Sequence, residues 1–252
     1  MKESGLPLVR SRLLSQFPNI ICGMSTRQGD APDSLFAFNL SYSVGDDALR
    51  VSEHRRRFFH RLGIPEEHIA FQQQEHGATI TIVDSSGLYA PSDALITRTP
   101  SIGLSITTAD CVPVLVYAPG EKTIAAIHAG WRGSAEHIAM KTLARMKEEF
   151  QIDLKNTYAY IGPSAGVCCY EVSWDTADHF PRECVTISEK KSAFLDLKAV
   201  NRMELLSAGL PSENIEVNRQ CTICKPSIFH SHRRDGKSTG RMLAVIAMKE
   251  AV

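Results

Sequence analysis

Apolar positions along the chain follow two rhythms. Between Asp47 and Leu62 they recur at helical spacing, with Leu49, Phe58, Phe59 and Leu62 as one buried stripe and Gly63 as the stop. A dense β region follows. Ile80 to Val83, Ala94 to Thr97, Ile102 to Thr107, Val112 to Tyr117 and Thr123 to His128 are rich in β-branched residues and separated by turn chemistry such as Ala118-Pro119-Gly120. Ser134 predicts the N-cap of a helix reaching Phe150, because Ile138, Thr142, Met146 and Phe150 recur every four residues. Tyr158 to Ile161 reads as a strand, Leu197 to Ala208 as a helix and Met242 to Ala247 as a last strand. Two short segments echo each other: Leu62-Gly63-Ile64-Pro65 through Ile69, and Ala208-Gly209-Leu210-Pro211 through Ile215. Eight residues are too few for a duplication, and each reads as the same helix stop, glycine at the cap followed by proline. The pattern predicts a mixed α/β (α+β) fold, a single domain over residues 1–252 with a large mixed β-sheet core flanked by helices.

Charge narrows the function. Lys plus Arg equals Asp plus Glu at 28 each, so the net charge is zero, and no basic run prepares a nucleic-acid groove or an anionic membrane face. No stretch approaches the ~18 apolar residues of a membrane span, and Met1 to Phe17 lacks a signal-like apolar run. Seven cysteines, an odd and unevenly spaced set, suit a reducing compartment in which thiols serve as ligands, nucleophiles or core filler. The cytoplasm is the expected location.

Three segments combine reactive side chains with glycine, proline or a second polar group at a strand edge: Gln74-Glu75-His76-Gly77, Thr108-Ala109-Asp110-Cys111-Val112-Pro113 and His128-Ala129-Gly130-Trp131-Arg132-Gly133. Cys111 opens one predicted strand and His128 closes the next. If those strands pair antiparallel, the two residues meet at one end of the sheet. Each residue alone has a plainer explanation, since cysteine commonly fills core space and a strand-end histidine is commonly a hydrogen-bonded one.

Taken together and in order, these segments resemble the bacterial family known as polyphenol oxidoreductases or laccase-like proteins, whose members are also described as zinc-dependent purine nucleoside phosphorylases and adenosine deaminases. Ser25-Thr26-Arg27, Phe38-Asn39-Leu40, Ile161-Gly162-Pro163, Cys169-Tyr170-Glu171-Val172, Cys221-Thr222, Ser231-His232-Arg233-Arg234-Asp235 and Thr239-Gly240-Arg241 extend the match from about residue 19 to 247. Glu75 departs from the pattern, which has an apolar residue there. The resemblance implies a fold like that of the putative cysteine hydrolases and a zinc ion on His76, Cys111 and His128, with copper able to displace it in vitro. It implies purine nucleoside and phosphate as substrates. Catalytic roles then fall to Cys111, His128, Asp110 and Arg132, with Asp110 or Glu75 as a proton relay. Arg27, Asn39, Glu171 and Arg241 become candidates for substrate binding, the arginines (Arg132 among them) because their donor fork matches phosphate.

Other readings stay open. A metal-free cysteine hydrolase would use Cys111 as nucleophile and His128 as base, acting on an amide of a cytosolic peptidoglycan precursor, and His76 discriminates because a dyad does not need it. A copper phenol oxidase wants repeated histidine pairs, which nine histidines with one His-x-His do not supply. A zinc-stabilised binding module would show a fourth protein ligand. Cys221, Cys224, His230 and His232 form a conceivable second site with unusual spacing, and packing thiols are the better expectation there. Cys22, Cys168, Cys169 and Cys184 show no site signal.

Overall fold

Val112–Ala118 and Thr123–Ala129 are buried at every position, which an alternating sequence could not tolerate and this run of valine, isoleucine, leucine and alanine can. The reason is visible in a computed structural model, which describes residues 5–29, 35–187 and 192–249. These two strands pair antiparallel at the centre of a six-stranded mixed sheet. Its order is Ile215–Val217, Tyr158–Ile161, Val112–Ala118, Thr123–Ala129, Ala94–Thr97 and Ile80–Ile82. A second six-stranded mixed sheet runs Leu8–Val9, Ile20–Ser25, Met242–Met248, Gly103–Thr108, Ile69–Gln72 and Gly87–Tyr89. Glu171–Val172, Ala193–Leu195 and Val185–Ile187 make a small third one.

Period-two alternation sorts the side chains into layers. Leu115, Tyr117, Ile124 and Ala126 of the first sheet share a core with Leu104, Ile106, Ala244 and Ile246 of the second. On the opposite face of the first sheet, Val112, Val114, Val116, Ala125 and Ile127 pack against the helices Ile138–Phe150 and Leu197–Ala208 through Leu143, Met146, Val200 and Leu205. The outer face of the second sheet, Leu243, Val245 and Ala247, is covered by Phe58, Phe59 and Leu62 of the helix Ala48–Leu62. The architecture is a helix–sheet–sheet–helix stack, so one predicted sheet is in fact two.

Most element ends follow their local chemistry. Asp47 caps the first helix by accepting from Arg50 N at 2.9 Å, and Gly63 closes it at φ 81°. Gly209 ends the helix Leu197–Ala208 at φ 113°, and both stops lead through a proline and a 3-10 turn into a strand, as the echo implied. Two details differ. Leu49 is 83% exposed, and the buried face is Val51, His54, Arg55, Phe58, Phe59 and Leu62, with Arg55 shielded over the Phe71 ring at 4.0 Å. Ser134 caps nothing. Gly130 starts a short helix, Trp131–Ala135, and His137 at φ 60° breaks it before Ile138–Phe150 begins. The buried Ser134 hydroxyl instead accepts from Asn201 Nδ2 at 3.0 Å.

Candidate metal centre

The antiparallel register sets Val112 opposite Ala129 and Pro113 opposite His128, which brings Cys111, one residue before its strand, to the same end of the sheet as His128. His76 arrives from the loop after Ile69–Gln72. Its backbone is left-handed, φ 61°, a conformation that a β-carbon disfavours and that surrounding bonds must hold. Two anchors do so. The Gln74 amide is clipped to Thr107, donating to its carbonyl at 2.9 Å and accepting from its N–H at 2.6 Å and hydroxyl at 2.9 Å. Asp93 accepts from the N–H groups of Gly77 at 2.7 Å, His76 at 3.0 Å and Glu75 at 3.3 Å.

Asp93 joins this loop to the sheet as well. His128 Nδ1 donates to its Oδ1 at 2.8 Å, and its carbonyl accepts from His128 N at 2.7 Å. Fixing one His128 proton on Nδ1 makes Nε2 the nitrogen that a metal would take in place of the second proton, the usual carboxylate–histidine arrangement behind a metal ligand. Burial pushes the Asp93 carboxyl up, but the bonds from His128, Gly77 and His76 outweigh it and hold the group below its ordinary range.

The three candidate ligand atoms lie within 4.8 Å of one another. The His76 and His128 rings stand edge to face with centroids 4.7 Å apart, and His76 Nδ1 is 3.8 Å from Cys111 Sγ. Gly130 leaves the space between them open: a β-carbon there would sit 3.1 Å from His76 Nδ1 and 3.3 Å from Cys111 Sγ. Burial opposes ionisation of Cys111, yet the imidazoles of His128 and His76 bring it down to about 6. Burial likewise opposes charge on His128, and the Cys111 sulfur and Asp93 raise it to about 9. Two imidazoles and a thiol already inclined to ionise are donors that fit a zinc-type ion, and three protein ligands would leave it a position for solvent or substrate.

The ligands line a cavity of about 840 Å³, within the range of small-molecule sites. Only some of the expected partners reach it. Arg241 lines it, and its Nη1 donates to the carbonyls of Thr239 and Gly240. Asp110 lines it too, but with both carboxylate oxygens engaged: Thr222 Oγ1 donates at 2.6 Å, Ser231 Oγ at 3.0 Å and Arg233 N at 2.7 Å. Asp110 thereby braces its own strained backbone, φ 95°, immediately before Cys111. Arg27 lies outside the cavity lining, donating to the Pro226 carbonyl at 2.9 Å and facing Asp235. Arg132 is exposed and stacks on Trp131 at 4.4 Å, also outside the lining. Asn39 is fully buried, its amide spent on Ser41, Asp46 and the Arg241 N–H, so it shapes the wall without reaching the space. Glu171 accepts from Ser192 and Glu75 is exposed, and neither lines the cavity.

Tyr170 and Arg233, named in the sequence only as members of motifs, take their places here, as does His232, weighed there only for a second metal site. Tyr170, His232 and Arg233 line the cavity, and Arg233 lies over the Tyr170 ring at 5.2 Å. All three sit inside the quoted motifs, so the motif order held a signal. Asp93 had none, being one carboxylate among 28 acidic residues with no reactive neighbour in sequence.

Residues 21–249 match the model of the family described as multi-copper polyphenol oxidoreductase laccase. The chain belongs to this laccase-like family. Among its relatives is a purine nucleoside phosphorylase of Bacteroides thetaiotaomicron, 37% identical over 252 residues that cover 92% of this chain and 93% of that one. Another is adenosine deaminase RL5 of an unknown prokaryotic organism, 30% identical over 245 residues, covering 89% and 93%. The crystal structure of the Bacillus licheniformis protein YfiH superposes with a TM-score of 0.90 at 29% identity, over 98% of both chains. These names make the laccase-like family one of nucleoside-processing enzymes, and its fold is the one described above. The multi-copper part of the family description has thin support in this chain. Among the described residues two groups could hold a metal, and only His76–Cys111–His128 contains histidine. No helix among them is long and apolar enough to cross a membrane.

Proposed function

We propose that this chain is a zinc-dependent purine nucleoside phosphorylase that also deaminates adenosine, a single-domain enzyme of the cytoplasm. It would take adenosine, inosine or methylthioadenosine with phosphate to free base and the sugar 1-phosphate. The observation that carries the reading is the convergence of His76, Cys111 and His128 on a cavity that also takes in Arg233 and Arg241. Seven cysteines without a disulfide are in keeping with a reducing compartment.

A zinc ion on these three ligands supplies a Lewis acid and brings the pKa of water toward neutrality; copper would compete for the same donors in vitro. The remaining work belongs to the side chains. Asp93 keeps the His128 proton on Nδ1 and so keeps Nε2 available. Of the three candidate arginines Arg241 keeps the phosphate-holding role, joined by Arg233 in place of Arg27 and Arg132, because Arg233 and Arg241 line the cavity. Asp110, engaged by three donors, serves to aim Cys111 and not to relay protons. Purified protein given inosine and phosphate should release hypoxanthine and ribose 1-phosphate, and adenosine alone should yield inosine. Cys111→Ala should abolish both together with the metal held by His76, Cys111 and His128, and sustained turnover by that variant would remove the reading.

One observation favours a second reading. Cys111, His128 and Asp93 also form the series nucleophile, base and orienting carboxylate, with the thiol lowered and the imidazole raised. An amide hydrolase of peptidoglycan precursors would use that series without His76. His76→Ala discriminates: loss of the metal at this centre and of nucleoside turnover supports the phosphorylase, whereas amide hydrolysis that survives the loss of that metal supports the hydrolase.

A further inference from the structure

Four of the seven cysteines gather outside the cavity-lining centre. Cys168 and Cys169 follow the strand Tyr158–Ile161, and Cys221 and Cys224 follow Ile215–Val217. Those two strands are parallel neighbours, so the segments leaving them run side by side: Ser164 bridges Cys221, and Thr222 N donates to the Ser164 carbonyl at 3.0 Å. The four sulfurs lie within 4.8 Å of one another, with Cys224 Sγ 3.4 Å from Cys168 Sγ and 3.2 Å from Cys169 Sγ.

Packing does not account for this cluster. Cys22 and Cys184 are the packing thiols, each buried within an apolar core, whereas Cys168 and Cys224 are exposed. Thiolates bound tetrahedrally at about 2.3 Å from zinc stand about 3.8 Å apart, so the 3.4 and 3.2 Å contacts need open by only a few tenths of an ångström to take the ion. Backbone groups close on the sulfurs. Gly166 N donates to Cys221 Sγ at 3.2 Å. A β-carbon on Gly166 would crowd Cys221 Cβ at 3.1 Å and Cys168 Sγ at 3.3 Å. The buried Lys198 ammonium donates to the carbonyls of Asn218 at 3.1 Å and Gln220 at 2.9 Å, on the chain that leads into Cys221, where a cation would offset part of the −2 charge of a zinc tetrathiolate.

We propose that Cys168, Cys169, Cys221 and Cys224 form a second, structural zinc site. Four protein ligands leave the ion no open position, so its work is to staple two chain segments. Those segments support the cavity: Thr222, beside Cys221, donates to Asp110, beside Cys111, and Tyr170, beside Cys169, lines the space. Binding releases the thiol protons and involves no oxidation. The site does not depend on which reaction the enzyme performs.

The test is a metal count on the full chain, expressed with zinc and purified under mild reductant, by native mass spectrometry. Wild type should carry two zinc ions, Cys111→Ala one, and Cys168→Ser also one. Cobalt-loaded Cys111→Ala should show the intense d–d and charge-transfer bands of a tetrathiolate centre. In unmutated protein Cys168, Cys169 and Cys224 should resist iodoacetamide until a strong chelator is added, a readout that needs no variant to fold. A single zinc in wild type with none in Cys111→Ala would overturn the proposal. So would rapid alkylation of the three thiols with no loss of metal, or peptide mapping that finds Cys224 in a disulfide with Cys168 or Cys169.

Discussion

Replacing Asp93 by asparagine removes a charge and keeps the shape, and the structure says what that should cost. Oδ1 accepts from His76 N and His128 Nδ1, and Oδ2 from Gly77 N and Glu75 N. All four are donors, so whichever way the new amide turns, its NH₂ faces two of them. At about 1–3 kcal/mol per buried polar group left without a partner, Asp93→Asn should lose roughly 2–6 kcal/mol of stability. The His128 orientation carries a second effect. An amide NH₂ at the Oδ1 position would move the imidazole proton to Nε2 and block the ligand atom, and loss of such an outer partner typically lowers metal affinity about 10–100-fold. Urea denaturation of metal-free protein measures the first term, and competition with a chromogenic chelator the second. A variant within about 0.5 kcal/mol of wild type and equal in metal affinity would refute the view that Asp93 joins the His76 loop to the sheet.

Three further outcomes follow from the same geometry. Gly130→Ala keeps an accessible backbone, φ −73°, but puts a methyl group against His76 Nδ1 and Cys111 Sγ; metal affinity should fall roughly tenfold or more while the far-ultraviolet circular dichroism is unchanged. Arg233→Ala should raise the KM for phosphate about 10–100-fold, the worth of charge-assisted bonds of about 1.5–3 kcal/mol, and Arg132→Ala, outside the cavity, should leave steady-state phosphorolysis within about twofold. His230 is fully buried, and burial brings it from 6.5 down to about 3. Between those values the unfolded chain binds the proton and the folded one does not, so stability falls as pH drops through that window, with a slope approaching ~1.4 kcal/mol per pH unit for this group. Denaturation midpoints of wild type and His230→Gln at stepped pH should therefore converge towards acid, and parallel curves would contradict it.

Local rhythm determined a good deal before any folding was known. The strand runs, the two glycine stops and the facing of Cys111 and His128 all follow from neighbours in sequence, because an antiparallel pair joined by a short turn has few registers available. Resemblance to a known family supplied His76, which no local rule brings to that sheet end. Contacts between distant residues decided the rest. Asp93 meets His128 across 35 positions, Asp110 meets Thr222 across 112, and Cys169 meets Cys224 across 55. Which arginines face the cavity was settled the same way, Arg241 turning in while Arg27 and Arg132 turn out, since a strand or helix fixes a residue's face only once its neighbours are packed against it. Burial patterning speaks for the next few residues; hydrogen-bonding and metal-ligand partners are chosen when two sheets close on each other.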